Sequence, residues 1–245
     1  MLDAAVKALT QMFSPPFRAV LLKAIAMALV LIVLIGVGVF YALTWFTTAG
    51  EGWAESVLGP NAHTPLTVLA WILSIAAGLG VIVGSVFLMP AVTALVASFF
   101  VDEIALEVER TYYPDEPVGT PLPVLRAGIE GSRTALFSVL VYLLAVPFLL
   151  VAGLGVVIFF LAAAYLLSRE YFELAAMRYR PPAEAKAMRK ANQAMVFAAG
   201  LLIALFVSIP VVNLATPLFG MALMVHLHKG LSRRNPQLTA AAGRS

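Results

Sequence analysis

Apolar positions along the chain gather into four long blocks separated by short polar segments, with one amphipathic stretch ahead of them. Leu2, Val6, Leu9 and Phe13 recur at i, i+4, i+7 and i+11, while Asp3, Lys7 and Gln11 share another face. That spacing predicts a short amphipathic helix lying in a membrane interface. Ser14-Pro15-Pro16-Phe17-Arg18 then breaks it and starts the next helix. Residues 20–46 form the first block, about 40 Å long as a helix, and Trp45 and Trp53 stand where an aromatic belt is expected. Residues 47–65 read as a loop that carries Glu51, Glu55 and His63 but no Lys or Arg. Residues 66–89 form the second block, in which Ala76, Gly80 and Gly84 make a strip smooth enough for close helix approach. Beyond a kink permitted by Pro90, the helix is expected to run through Phe99 and Ile104 to about Tyr113, becoming charged after Val101.

Tyr113-Pro114-Asp115-Glu116-Pro117 ends that helix, Pro121 and Pro123 prolong the loop, and residues 125–133 predict a polar helix. The third block, residues 134–167, and the fourth, residues 194–228, each exceed 30 residues and each is interrupted. Pro147, Gly153 and Gly155 break the third; Pro210 and Pro217, with Asn213 between them, break the fourth. As one rod the fourth block would run roughly 52 Å against a hydrocarbon core of roughly 30 Å. A proline removes a backbone donor and clashes with the preceding turn, so each block is expected to reverse as a helical hairpin. The arms would be short, roughly 20–27 Å, and backbone at such turns must be shielded by protein or line a wet cavity. Full crossings by slightly short helices in a six-span bundle fit the lengths nearly as well.

Composition sharpens this picture. The 245 residues are 62% hydrophobic and 12% charged, about half the charge of a soluble domain, with mean hydropathy +0.96. The expectation is one membrane domain over residues 1–245, an all-α polytopic protein of two long transmembrane helices, two proline-broken hairpins and an interfacial amino-terminal helix. The first apolar run is too long for a signal-peptide core, so no cleavage is expected. The net charge of +3 reflects membrane-flanking Lys and Arg, and no nucleic-acid partner is expected. Were each block to span once, the segment 169–190, with six of the sixteen basic residues, would face the outside. With two hairpins, every Lys and Arg falls on one side, as the positive-inside rule requires.

No cysteine is present, which excludes disulfides, thiolate metal sites and a Cys nucleophile. No intramembrane nucleophile–base pair, metal-ligand motif or nucleotide loop occurs, so neither enzyme nor cofactor chemistry nor ATP coupling within this chain is expected. No charged residue lies in the interior of an apolar block, which argues against a proton relay at the midplane. The candidates are binding groups. Pro15 and Pro16 are expected to leave the amides of Phe17, Arg18 and Ala19 free at the positive end of a helix, and one guanidinium beside them suits a doubly charged oxyanion. On the residues alone, an arginine snorkelling to lipid phosphate is the simpler account of Arg18. Glu103, Glu107 and Arg110 share one helical face, as a solvated ion-pair surface or a charged vestibule. Asn213 suits a turn cap or, with Ser208, a permeation path; His226 and His228 read as interface histidines.

Three stretches resemble the CysZ family of bacterial sulfate permeases: Ser14-Pro15-Pro16-Phe17-Arg18, Arg169-Glu170-Tyr171-Phe172-Glu173-Leu174, and Ser208 to Pro217 with its isoleucine-proline and asparagine-leucine pairs. The resemblance implies an oligomeric inner-membrane protein that takes up sulfate for cysteine synthesis, channel-like rather than ATP-driven. It also implies a sulfate site at the first long helix's start, where the family has two adjacent arginines. Arg18 matches the first, and Ala19 stands in place of the second. A non-transporting membrane scaffold of the same architecture is the alternative expectation.

Overall fold

The computed structural model describes residues 2–58, 67–69, 71–76, 78–80, 92, 96, 99–150, 153–209 and 212–234. Those residues are helical or in loops and turns, with no strand among them. The chain divides into two compact units, residues 1–22 with 97–245, and residues 23–96.

Helix α1 (Leu2–Met12) turns its small side chains inward: Ala4, Ala5, Ala8 and Gln11 are buried against α9. Its large apolar stripe, Leu2, Val6, Leu9 and Phe13, is exposed. The helix is amphipathic with a division of labour: small residues pack on the protein and the large apolar ones face outward. Helix α2 runs Pro15–Leu58, 44 residues, longer at both ends than the block that announced it. The expected loop from residue 47 is helical as far as Leu58, and within it Thr44, Thr47, Thr48 and Ser56 donate their hydroxyls to carbonyls three or four residues back. Hydroxyls spent in this way let polar residues remain in a helix. Residues 15–50 of α2 are apolar enough to cross a bilayer, and only 17% of the most apolar window is buried within the chain.

A short apolar helix, α3, follows over Thr67–Gly80. A Cβ built at Gly80 meets open space, so that residue makes no close helix contact among the described residues. Gly84, Pro90, His63, Pro65 and most of the expected second span lie outside the described residues. A turn at Phe99–Phe100 precedes α4 (Val101–Tyr112), which corrects the expectation of helix running unbroken through Phe99.

The third block folds as a hairpin. Helix α5 (Val124–Ala145) passes into a 3-10 turn at Val146–Leu150 around Pro147, and α6 (Leu154–Met177) begins after Gly153, whose φ of 78° favours a residue without Cβ. The arms are longer than expected, about 33 and 36 Å, because the polar helix of residues 125–133 and the start of the third block are one helix. Both arms can cross a hydrocarbon core. Helix α7 (Pro182–Ala191) meets α8 (Gln193–Val207) at 92°, and α8, at 15 residues or about 22 Å, is short for a crossing. A 3-10 turn over Val212–Ala215 leads into α9 (Thr216–Arg234), with Pro217 in its first turn; Pro210 lies outside the described residues.

Helix α9 is the core of the larger unit. Nearly every residue from Thr216 to Ser232 is buried, and α1, α4, α6 and α8 pack on it. A helix buried all round needs a neighbour on each face, and here protein supplies them. Gly200 of α8 fits against α6 so closely that a Cβ there would lie 2.3 Å from the Ala164 carbonyl oxygen. Gly220 of α9 lies under the Tyr171 ring in the same manner.

Candidate functional site

The start of α2 carries the first set of candidates. Phe17 is buried to 1% exposure and, with Val20, fixes the amino end of the helix, while Arg18 and Ala19 are exposed. The Arg18 guanidinium has no hydrogen-bond or ion-pair partner among the described residues. The amide of Arg18 is not free, contrary to expectation: it donates to the Ser14 carbonyl at 3.1 Å. The chain before a double proline can still present one carbonyl to the first turn, and Ser14 does so.

On α4 the buried face is Val101, Ile104, Ala105, Val108 and Glu109. Glu103 and Arg110 are exposed and Glu107 half-buried; the Glu107 carboxylate accepts from the Thr111 hydroxyl at 3.3 Å. Glu107 and Arg110 form no ion pair with each other. Asn213 is bonded inside its own turn: its amide donates to the Ile209 carbonyl at 2.8 Å and its Oδ1 accepts from Thr216 Oγ1 at 3.3 Å. Among the described residues no hydrogen bond or ion pair joins Arg18, Arg110 and Asn213.

The charged residues that the fold does bring together lie around Glu109. Arg178, just past the end of α6, donates from Nε to Glu109 Oε1 at 3.0 Å and also pairs with Asp102. The Tyr179 hydroxyl donates to the same Glu109 oxygen at 2.6 Å, and the Gly119 amide to the other at 2.9 Å. Arg178 Nη2 donates to the Gly119 carbonyl, so the loop after α4 is tied to the end of α6. Burial opposes the charge on Arg178, but Glu109 and Asp102 outweigh it and raise its pKa; burial and the bond to Glu109 push the Tyr179 phenol up. Glu109 could have been found from spacing, since it stands at i+8 in the series 101, 104, 105, 108 and is a charge at a core position.

Three further ion pairs bind polar ends together. Lys186 of α7 reaches Glu130 of α5, Arg189 of α7 reaches Glu173 of α6 at 2.9 Å, and Lys229 of α9 reaches Glu116 at 2.9 Å. Burial opposes ionisation of Glu116, yet Lys229 and Arg233 hold its carboxyl below the usual range. A side-chain ion pair spans a few ångströms and a bilayer roughly 30 Å. The start of α5, the end of α6, α7 and the end of α9 therefore share one polar side, and both broken blocks return to the side they left. A cavity of about 260 Å³ opens between α5 and α6, walled by Glu130, Thr134, Ser138, Glu170 and Glu173.

His226 and His228 lie inside the protein rather than on its surface. They are 3% and 2% exposed on α9, His226 bonded through Nδ1 to the Tyr113 hydroxyl at 2.9 Å and His228 stacked on Tyr179. Burial pushes the Tyr113 phenol up to about 12. The apolar run around the two histidines does not foretell this burial, because spacing alone does not reveal how many neighbours a helix has.

Apolar helices long enough to cross a membrane, hairpins returning to one ion-paired polar side, and an exposed arginine at a helix start define an all-α polytopic membrane protein. The chain belongs to the family described as sulfate transporter CysZ/etoposide-induced protein 2.4, which matches residues 4–217. It is thus a membrane protein of a transporter family. No curated protein and no solved structure matches it.

Proposed function

We propose that this chain is a permease for sulfate or a similar oxyanion in the bacterial inner membrane, channel-like and not ATP-driven, supplying sulfur for cysteine synthesis. It acts as one membrane-embedded domain over residues 1–245 and assembles as a homo-oligomer. The observation that carries the reading is the family match together with Arg18, exposed and unpaired at the start of the first long helix. Phe17 anchors that turn, Arg18 binds the anion, and Ala19 leaves room beside it where the family places a second arginine. Glu103, Glu107, Arg110 and Asn213 belong to the mouth or wall of the path.

Flux of labelled sulfate into liposomes containing the purified protein tests this. Arg18→Ala removes charge-assisted hydrogen bonds worth about 1.5–3 kcal/mol and should weaken sulfate binding roughly ten- to a hundred-fold. Arg18→Lys should fall between, having lost the planar fork. Absence of sulfate flux by a folded parent would favour the scaffold alternative. Full flux and affinity in Arg18→Ala would make Arg18 a lipid anchor only.

A further inference from the structure

Among the buried arginines of the larger unit, one lacks a carboxylate. Arg178 has Glu109 and Asp102, and Arg189 has Glu173. Arg180 is 6% exposed, yet no acidic side chain pairs with it. Its Nη2 reaches only the Ser232 hydroxyl, at a long 3.4 Å, and its Nε is buried with no hydrogen-bond partner. Ser232 in turn lies 3.5 Å from Nε2 of His228, whose Nδ1 is also unpartnered. Lys229 and Arg233, the neighbours of His228 and Ser232 on α9, are both paired with Glu116 and leave no acid for Arg180. Glu184 is the one acid whose field reaches Arg180, and it forms no ion pair. Burial holds the Arg180 pKa below the ordinary guanidinium value, as expected where no counter-charge offsets desolvation.

A buried cation without a paired counter-ion costs several kcal/mol, and among the described residues only the long bond to Ser232 and the field of the unpaired Glu184 offset it. We infer that Arg180, with the Ser232 hydroxyl, forms an oxyanion-binding site on the polar side of the protein, separate from the start of α2, that takes a sulfate-type anion or the phosphate of a lipid headgroup. A guanidinium supplies paired N–H donors and a hydroxyl a third, the donor set a tetrahedral oxyanion accepts. Arg180 lies between α6 and α7 and Ser232 near the end of α9, so an anion there would join the two hairpins at their polar ends. The inference does not rest on transport, because its readout is binding and stability.

The test uses the full chain in detergent, carrying Arg18→Ala to silence the first proposed site. Thermal unfolding is followed against sodium sulfate, with ionic strength matched by chloride, and in parallel against micelles containing phosphatidylglycerol. With Arg180 intact, one of the two should raise the unfolding temperature saturably, since a ligand that binds only the folded state stabilises it. A sulfate response assigns the site to a free anion, and a phosphatidylglycerol response to a lipid phosphate. Arg180→Met should weaken that response ten-fold or more, and without ligand should unfold at a higher temperature than its parent. Arg180→Lys should keep a reduced response. No saturable response with Arg180 intact overturns the inference, whether or not the Met variant folds. So does an equal response in folded Arg180→Met.

Discussion

Glu109 shows how one residue can depend on the whole fold. It is 1% exposed and receives bonds from Arg178, Tyr179 and the Gly119 amide, groups 10 to 70 positions away. Breaking one side of such a pair leaves a buried charge uncompensated, which costs about 3–5 kcal/mol, whereas replacing both partners by apolar residues is often near neutral. Glu109→Ala should therefore lower thermal stability sharply, and Glu109→Met with Arg178→Met should recover much of the loss. A double-mutant cycle on unfolding temperature in one detergent checks this; additive losses would mean the pair is not coupled.

At the scale of elements, the closest approach is α8 on α6. Gly200→Ala places a methyl within 2.3 Å of the Ala164 carbonyl and 2.4 Å of the Ser168 Cβ, and backbone cannot yield as a side-chain tip can. Overpacking of this kind costs typically 1–3 kcal/mol. The same substitution at Gly38 of α2 meets nothing within 4 Å and should stabilise slightly, by about 0.5–1 kcal/mol, through better helix propensity. Opposite shifts in unfolding temperature confirm the contact; a neutral Gly200→Ala would mean that α8 can move off α6. The small-residue strip legible beforehand was on α3, while the close contact lies on α8. Glycines at helical spacing show where a backbone can be approached, and only the neighbour shows where it is.

For the whole molecule, the ion pairs that gather the ends of α5, α6, α7 and α9 make a topological prediction. The native chain has no cysteine, so single cysteines report cleanly. Asp115→Cys and Ala183→Cys should be labelled by an impermeant maleimide from one side of an oriented membrane, and Glu51→Cys from the other. Labelling at Ala183 from the Glu51 side would rule out the two-hairpin path.

Much of this architecture was legible in the sequence, because apolar run length and proline position report on the lipid and the local backbone directly. Four blocks, two of them broken, and an amphipathic amino terminus follow from those terms alone; the family was legible only through the resemblance of three short motifs, and the match over residues 4–217 bears it out. Three things depended on tertiary structure. Which face of α1 docks is decided by α9, which accepts alanines and leaves Leu2, Val6, Leu9 and Phe13 outside. That α9 is core rather than a lipid-facing arm is decided by the helices around it, since lipid and protein interior both accept apolar side chains and periodicity cannot tell them apart. Which charges pair is decided by contacts between distant segments, so Arg178 found Glu109 and Arg180 found only a hydroxyl, although the two arginines stand two residues apart. A side chain's charge is a property of the residue, but its counter-charge is a property of the fold.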